Sequence, residues 1–373
     1  MNINILFLTH NSSLRSTTCV LDALINKEYK KTITPVLVFA DEGPWKQKLS
    51  EKGIKTYVKK FRATEKTRPV SSIIDLIYWY KLIKVHRIDV IHVNEHDNFQ
   101  AIKLIARLTK TPVVVGVRFL VNHEFVKWSF GGKYIPDKVL FTSQDQLQRS
   151  NISDIIPKSK IKLLGNGRDL DELIDAPDLR SDTRLKWGVS DDEILIGTAS
   201  VIRPRKKIED LINLTKKLHE RNIPVKCVIA GGGKFADPVY YKELEDLIVT
   251  EKLGGIVTML GNLDNLAPFY QSLDIFISTS ELETFGMSVC EAMAFAKPVV
   301  AYEGGSVQEV LADPECVVPT GDQDALFNKT LKFINDPDLS KKIAEKGKER
   351  VFKHFNAPVL ASRLMSIYNE LIE

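Results

Sequence analysis

Two carboxylates, Glu283 and Glu291, stand eight positions apart in the segment SELETFGMSVCEAMAFAKPVVAYEGGSVQEVL. A carboxylate accepts hydrogen bonds from vicinal hydroxyls. Gly286, between the two acids, has no side chain and lets a ligand approach the backbone. MSVCEAMAFA has helical composition, and the start of a helix offers free N–H groups and a positive dipole end that suit a phosphate. The pattern therefore fits a ligand with two hydroxylated rings flanking a phosphate, such as a nucleotide-sugar. One acid would serve the sugar ring and the other the ribose. Without further context, two glutamates at this spacing are ordinary residues of a solvated helix face.

Elements that would position these acids are legible around them. DIFISTS reads as a strand that delivers Glu283 at its carboxyl edge, and Glu291 falls inside the next helix. Upstream, INILFLT, ITPVLVF, IKTYVKKF, DVIHVN, PVVVGVR, DKVLFTS and KIKLLGN read as strands. Amphipathic helices, including SIIDLIYWYKLIKVH and NFQAIKLIARLTK, lie between them. The alternation then restarts with EILIGTAS, KIEDLINLTKKLHER, VKCVIAGGG, YYKELEDLIVTEKL, VTMLGN and PVVAYEG. Strand–helix alternation predicts α/β architecture with parallel sheets, here in two Rossmann-like domains facing an interdomain cleft. The polar, turn-rich stretch NGRDLDELIDAPDLRSDTRLKWGVS reads as the joint.

Composition narrows the classes. The 373 residues are 44% hydrophobic, enough for sizeable cores, and the formal net charge is +4. Charge is unevenly placed: residues 1–165 carry +13 and the remainder −9. Such halves face different partners. No apolar run is long enough to span a membrane, and MNINILFLTH lacks the basic start of a signal peptide. Cys19, Cys227, Cys290 and Cys316 are widely spaced, which argues against a disulfide framework or a zinc knuckle and for reduced thiols. A cytoplasmic protein is expected, with the inner face of the membrane as its working place. No nucleic-acid module, metal-ligand spacing or serine nucleophile elbow is found.

The segment from DIFISTSELETFG through EAMAFAKPVVAYEGG resembles the E-x7-E region of family-4 retaining glycosyltransferases of the GT-B fold, within the group 1 glycosyltransferase superfamily. KIKLLGNGRDL, RPRKKIEDLI and VKCVIAGGG are similar to further segments of that family. The resemblance is strong over the second half and is one of pattern over the first. It implies that Glu283 binds the donor sugar's hydroxyls beside the reacting carbon and that Glu291 binds the ribose. Thr284 and the backbone N–H groups of Phe285, Gly286 and Met287 would hold the sugar and diphosphate. Lys206 would neutralise the diphosphate, with Lys207 as a competing candidate. Gly231, Gly232 and Gly233 would let the nucleotide approach the backbone.

Three positions depart from the family pattern. Where an Arg usually precedes the Lys, Ser200 and Val201 stand, and Arg203 or Arg205 is expected to take that role. The loop after the first strand lacks a Gly-Gly turn, and Ser12, Ser13 and Arg15 are offered as donors instead. The family's His after the fourth strand aligns with Arg118, with His123 nearby. Arg118 is accordingly placed with Glu283 and Lys206 in the catalytic set. His92, Asn94 and His123 are candidate acceptor contacts. The Asp169–Asp171 pair in RDLDEL resembles a metal-nucleotide motif but falls in the joint and is set aside. No metal or other cofactor is expected.

Taken together, the resemblance implies retaining transfer of a hexose from a nucleoside diphosphate sugar to a hydroxyl of a glycan or lipid-linked saccharide. Surface polysaccharide synthesis is the expected setting. The domains are expected at 1–165 plus a returning helix over 357–373, and at 166–356. Basic aromatic segments KKFRATEKTR and FVKWSFGGKY suggest peripheral association with anionic membrane. A sugar-nucleotide epimerase, a phosphorylase and a catalytically weak sugar-nucleotide-binding partner are the alternatives.

Overall fold

The computed structural model describes residues 2–14, 17–63 and 69–373, excepting the side chains of Pro69 and Lys234. Arg15, and the end of the KKFRATEKTR segment, lie outside the described residues. The chain divides into two units, Met1–Asp169 with Phe355–Glu373, and Leu170–His354.

Seven parallel strands form the sheet of the first unit. They are β1 (Ile3–Thr9), β2 (Ile33–Phe39), β3 (Lys55–Val58), β4 (Val90–Val93), β5 (Val113–Val117), β6 (Lys138–Phe141) and β7 (Ile161–Leu163), in the order β3-β2-β1-β4-β5-β6-β7. Central β4 (VIHV) and β5 (VVVGV) are buried along their whole length, as parallel strands covered on both faces must be. Chain order reverses between β1 and β4, so the loops leaving these strands diverge there and open a crevice.

The C-terminal helix Ala357–Ile372 belongs to this first unit. Leu360, Ala361, Leu364 and Tyr368 pack in one core with Phe7, Leu24, Leu37 and Trp45. Its return is pinned where Arg168 bridges Asn356 and the Ala357 N–H donates to the Arg168 carbonyl at 2.9 Å. A Cβ on Gly167 would lie 1.9 Å from the Phe355 carbonyl oxygen, so only glycine fits this crossing. These contacts carry the first unit through Asp169, beyond the change at residue 165 expected from the sequence.

Six parallel strands build the second unit: β8 (Ile194–Ala199), β9 (Val225–Ala230), β10 (Val257–Gly261), β11 (Ile275–Ser278), β12 (Val299–Tyr302) and β13 (Val317–Val318). Their order is β10-β9-β8-β11-β12-β13, with the reversal between β8 and β11. Two-residue β13 was too short to carry a readable alternation. The polar joint is more ordered than its composition suggests. It holds helices Leu170–Ile174 and Arg180–Lys186. Buried Arg184 ties the second of these to Asp274 at 2.9 Å and to the carbonyls of Ser272, Ser190 and Glu193.

One helix differs from its sequence expectation. The stretch SIIDLIYWYKLIKVH, expected as an amphipathic helix, falls, but for its last residue, in the helix Pro69–Val85, which is apolar on two faces. Trp79, Leu82 and Ile83 pack into the core beside the sheet, while Val70, Ile73, Ile74 and Ile77 are exposed.

Candidate functional site

In the second unit the sequence-predicted donor residues follow the carboxyl ends of β8, β9 and β11, around the strand-order reversal between β8 and β11. After β11 the chain runs through Glu283 to Gly286, where helix Met287–Ala294 begins. Gly286 has φ 90°, a conformation that L side chains resist, and no side chain caps the helix. The first N–H groups of that helix therefore have no partner within it.

The Glu283 backbone is fixed from the opposite side by the loop after β12. Glu283 bridges Gly305, and Ser306 donates its N–H and its hydroxyl to the Glu283 carbonyl at 3.1 and 3.2 Å. A Cβ on Gly304 would lie 2.3 Å from the Ser280 carbonyl oxygen. One on Gly305 would lie 2.2 Å from that of Glu283. Sequence reading assigned these glycines no role. Their adjacency in YEGGS was the available signal.

Lys206 Nζ is hydrogen-bonded and ion-paired to Glu283 Oε1, although the residues lie 77 positions apart. Lys206 ends the short 3-10 turn Pro204–Lys206, and its carbonyl accepts from the Thr279 hydroxyl at 2.8 Å. Burial pulls its ammonium below the ordinary lysine range, and the Glu283 carboxylate pulls it partly back. Lys207 points elsewhere. Its amine pairs with Glu281 at 3.4 Å and Glu209 at 3.6 Å near the surface, which raises its pKa. The geometry thus separates the two lysines: Lys206 joins Glu283, and Lys207 does not.

The two arginines offered for the missing phosphate contact also differ. Arg205 donates to the Leu282 carbonyl at 2.6 Å, and its own carbonyl accepts from the Glu281 N–H, so it braces the loop beside Glu283. Exposed Arg203 donates through Nε to the Phe235 carbonyl at 3.1 Å, just after the glycine run.

Glu291 is buried and accepts from the Tyr270 hydroxyl at 2.8 Å. Both residues line a cavity of about 200 Å³ with Gly231, Gly232, Ser200, Asn262, Leu263 and Leu266. Gly231 has φ 152°, and a Cβ there would fall 2.0 Å from the Ser200 carbonyl oxygen, so this loop closes only with glycine. The Ser200 hydroxyl is buried without a hydrogen-bond partner. Tyr270 and Asn262 were missed because they sit at a helix and a loop where neither periodicity nor motif marks them.

The first unit supplies a separate polar cluster around the carboxyl ends of β1, β4 and β5. Glu95 is buried and accepts from the Thr9 hydroxyl at 3.0 Å, the His10 N–H at 3.0 Å and the Asn94 side chain at 2.7 Å. Burial raises its pKa against those hydrogen bonds. Arg118 follows β5 directly and is buried, and its Nε and Nη2 have no hydrogen-bond partner. Desolvation lowers its pKa, which the Glu95 carboxylate partly offsets.

The acceptor candidates are placed differently from one another. His92 lies within β4, wholly buried, with Nδ1 2.8 Å from the Tyr368 hydroxyl. Burial, with Arg118 nearby, lowers its pKa to about 3, so it is neutral. Asn94 is buried and donates to Glu95 and to the Thr17 carbonyl. His123 is exposed at the start of helix His123–Phe130. Ser12 is committed to the Glu42 carbonyl at 3.1 Å, whereas Ser13 is half-buried in the loop after β1.

Asp169 of the metal-like pair is ion-paired with Lys27, and Asp171 lies in the helix Leu170–Ile174. Among the described residues, no group of three or more His, Cys, Asp or Glu side chains is arranged to hold a metal ion. Nor is any helix among them long and apolar enough to cross a membrane.

Residues 180–350 match the family described as "Glycosyl transferases group 1". The N-acetyl-alpha-D-glucosaminyl L-malate synthase of Bacillus anthracis is 25% identical over 197 residues, covering 52% of this chain and 50% of that protein. The phosphatidyl-myo-inositol mannosyltransferase of Mycobacterium leprae is 25% identical over 297 residues, covering 75% and 73%. The chain spans about half the length of several of the curated relatives it matches. In fold, it is similar to Anabaena Alr3699/HepE, solved with UDP and glucose. There the TM-score is 0.82 at 19% identity, over 99% of this chain and 100% of that one. The two parallel sheets match those of GT-B glycosyltransferase structures.

Proposed function

We propose that this chain, whose residues 180–350 match the group 1 glycosyl transferases, moves a hexose from a nucleoside diphosphate sugar to a hydroxyl acceptor. The acceptor class is a glycan or lipid-linked saccharide, the setting is surface polysaccharide synthesis, and the sugar's anomeric configuration is retained. The observation that carries this reading is the Lys206–Glu283 pair, in the same unit as the cavity that Glu291 and Tyr270 line. Relatives named for polysaccharide and glycolipid synthesis support it, as does a fold neighbour solved with UDP-glucose.

In this reading the nucleoside enters the cavity beside Gly231 and Gly232, and Glu291 accepts hydrogen bonds from its ribose hydroxyls. The diphosphate draws the Lys206 ammonium away from Glu283. Glu283 is then free to accept hydrogen bonds from the sugar's hydroxyls. Lys206 and the N–H groups of Phe285, Gly286 and Met287 stabilise the charge that develops on the leaving diphosphate. Arg118 is assigned to the reacting carbon or the acceptor, and Ser13 to the diphosphate. The diphosphate oxygen takes the acceptor's proton as the new glycosidic bond forms, so no protein base is required. Lys206 supplies the countercharge, and the proposed reaction is independent of metal. Work at the inner face of the membrane completes the reading.

The test is a screen of UDP-, GDP- and ADP-sugars with and without a chelator, measuring released nucleoside diphosphate and the anomeric form of the product. Chelator-insensitive turnover of one donor, with retained configuration, is expected. Interconversion of free nucleotide-sugars without an acceptor would establish the epimerase alternative. Binding without turnover across acceptors would make the chain a sugar-nucleotide-binding partner.

A further inference from the structure

We infer that helix Pro69–Val85 is a membrane-docking element that lies in the headgroup region of an anionic bilayer. Val70, Ile73, Ile74 and Ile77 are between 49% and 70% exposed. Their spacing of three and four residues places them on one face of the helix. The opposite face, through Trp79, Leu82 and Ile83, is already buried against the sheet. A helix that is apolar on its outer side as well needs a second partner. Single exposed aliphatic residues are ordinary, but a contiguous group on one face marks an interaction surface.

Charge identifies the occupant. Lys81 and Lys84 are exposed and continue the same face one and two turns beyond Ile77. Tyr80 is half exposed beside them, with the Lys84 ammonium 5.9 Å from its ring centre. Residues 1–165 carry +13, a charge that repels a second copy of the same surface and attracts anionic lipid. Aliphatic side chains entering the acyl boundary, with lysines and a tyrosine at headgroup level, form the pattern of an interfacial helix.

The sequence had pointed to other residues for this task. Phe61 of KKFRATEKTR turns inward and stacks on Trp79 with ring centres 6.2 Å apart, so it is not available to a bilayer. In FVKWSFGGKY, Phe130 is buried, and Trp128 is half exposed on a different helix. The inference rests on the proposed function only for its purpose, access to a lipid-linked acceptor. Burial and charge carry it independently.

Vesicle flotation of the full chain tests it, with phosphatidylcholine alone and with phosphatidylcholine mixed with phosphatidylglycerol. The chain is expected to float with the mixed vesicles and to remain behind with the neutral ones. I73S/I77S is expected to weaken partition by about tenfold or more, because it removes apolar surface from the lipid. K81E/K84E should weaken it by about tenfold through lost attraction to the anionic surface. Val249→Ser, exposed on the second unit, should leave partition unchanged. Circular dichroism and melting temperature confirm that each variant is folded.

Failure of the wild type to float, or flotation that neither double variant alters, overturns the inference. So does a dimer in light scattering that I73S/I77S dissolves, because the face would then belong to a second copy. Nucleotide-sugar binding is measured on the same samples. If flotation fails while donor binding persists, only the docking helix is lost. If flotation persists while no donor binds, the transferase reading falls and the docking helix stands.

Discussion

The ammonium of Lys206 is hydrogen-bonded to the carboxylate of Glu283, joining the turn after β8 to the loop after β11. Both side chains are largely buried. Removing one partner of such a pair leaves the other charge uncompensated. Glu283→Ala is expected to lower stability by about 3 kcal/mol at neutral pH. In the variant, Lys206 loses the carboxylate that raises its pKa, and its already depressed value falls further. A lysine with a depressed folded pKa contributes stability that is present above its unfolded value and is lost as pH falls through the folded one. The deficit of Glu283→Ala should therefore shrink as pH rises toward about 10.5. Urea unfolding of both proteins from neutral pH upward measures this. A deficit independent of pH would mean that the pair carries little energy.

Arg118 presents the opposite sign. Its guanidinium is buried, and Nε and Nη2 have no hydrogen-bond partner. Such a charge costs stability and is retained where a ligand uses it. Arg118→Met, which keeps much of the side chain's length, is expected to stabilise the chain by about 1–3 kcal/mol while abolishing transfer. Denaturation and turnover measured on the same preparation check the two halves together.

Two glycines of the donor site should respond differently to alanine. At Gly286 a Cβ meets nothing nearer than 3.7 Å, so only its φ of 90° is strained. Gly286→Ala should cost about 1 kcal/mol. At Gly231 the Cβ would lie 2.0 Å from a backbone oxygen, so the loop must move. Gly231→Ala should lose more stability than Gly286→Ala, and nucleotide binding with it. Thermal unfolding and nucleotide titration separate the two costs.

His96 gives a pH signature. It is buried among Phe119, Phe125 and Phe130, neither ring nitrogen has a partner, and burial lowers its pKa from 6.5 to about 4, against a smaller opposing pull from Asp97. Its depressed value means stability that is present above the unfolded pKa and is lost as pH falls toward the folded one. Between pH 6.5 and about 4 that loss amounts to at most about 3 kcal/mol. His96→Phe should flatten this part of the stability–pH curve. His92, lowered to about 3, extends the same acid loss further down, while buried Glu95, with a raised pKa, works in the opposite sense.

Much of the fold was readable because buried parallel strands are near-continuous β-branched runs. INILFLT and ITPVLVF coincide with β1 and β2 residue for residue. What failed was the inference of order and exposure from composition. The polar stretch 166–190 holds two helices because Arg180 and Arg184 find carbonyls and Asp274 far away in sequence. The stretch SIIDLIYWYKLIKVH suggests a helix with one apolar face, and the helix Pro69–Val85 has two. At the site, motif residues were legible, but Tyr270, Gly304 and Gly305 were not. Their contribution is a contact with Glu291 or Glu283 that only the packed loops create.

The most direct test of the central claim is calorimetric titration of wild type and Glu283→Ala with a nucleotide-sugar and with the corresponding nucleoside diphosphate. The account assigns Glu283 to the sugar and Lys206 to the diphosphate. Wild type should therefore bind the nucleotide-sugar more tightly than the diphosphate alone. In Glu283→Ala that advantage should vanish while diphosphate affinity persists. Equal loss of both ligands in the variant, or no binding of either by the wild type, would contradict the account.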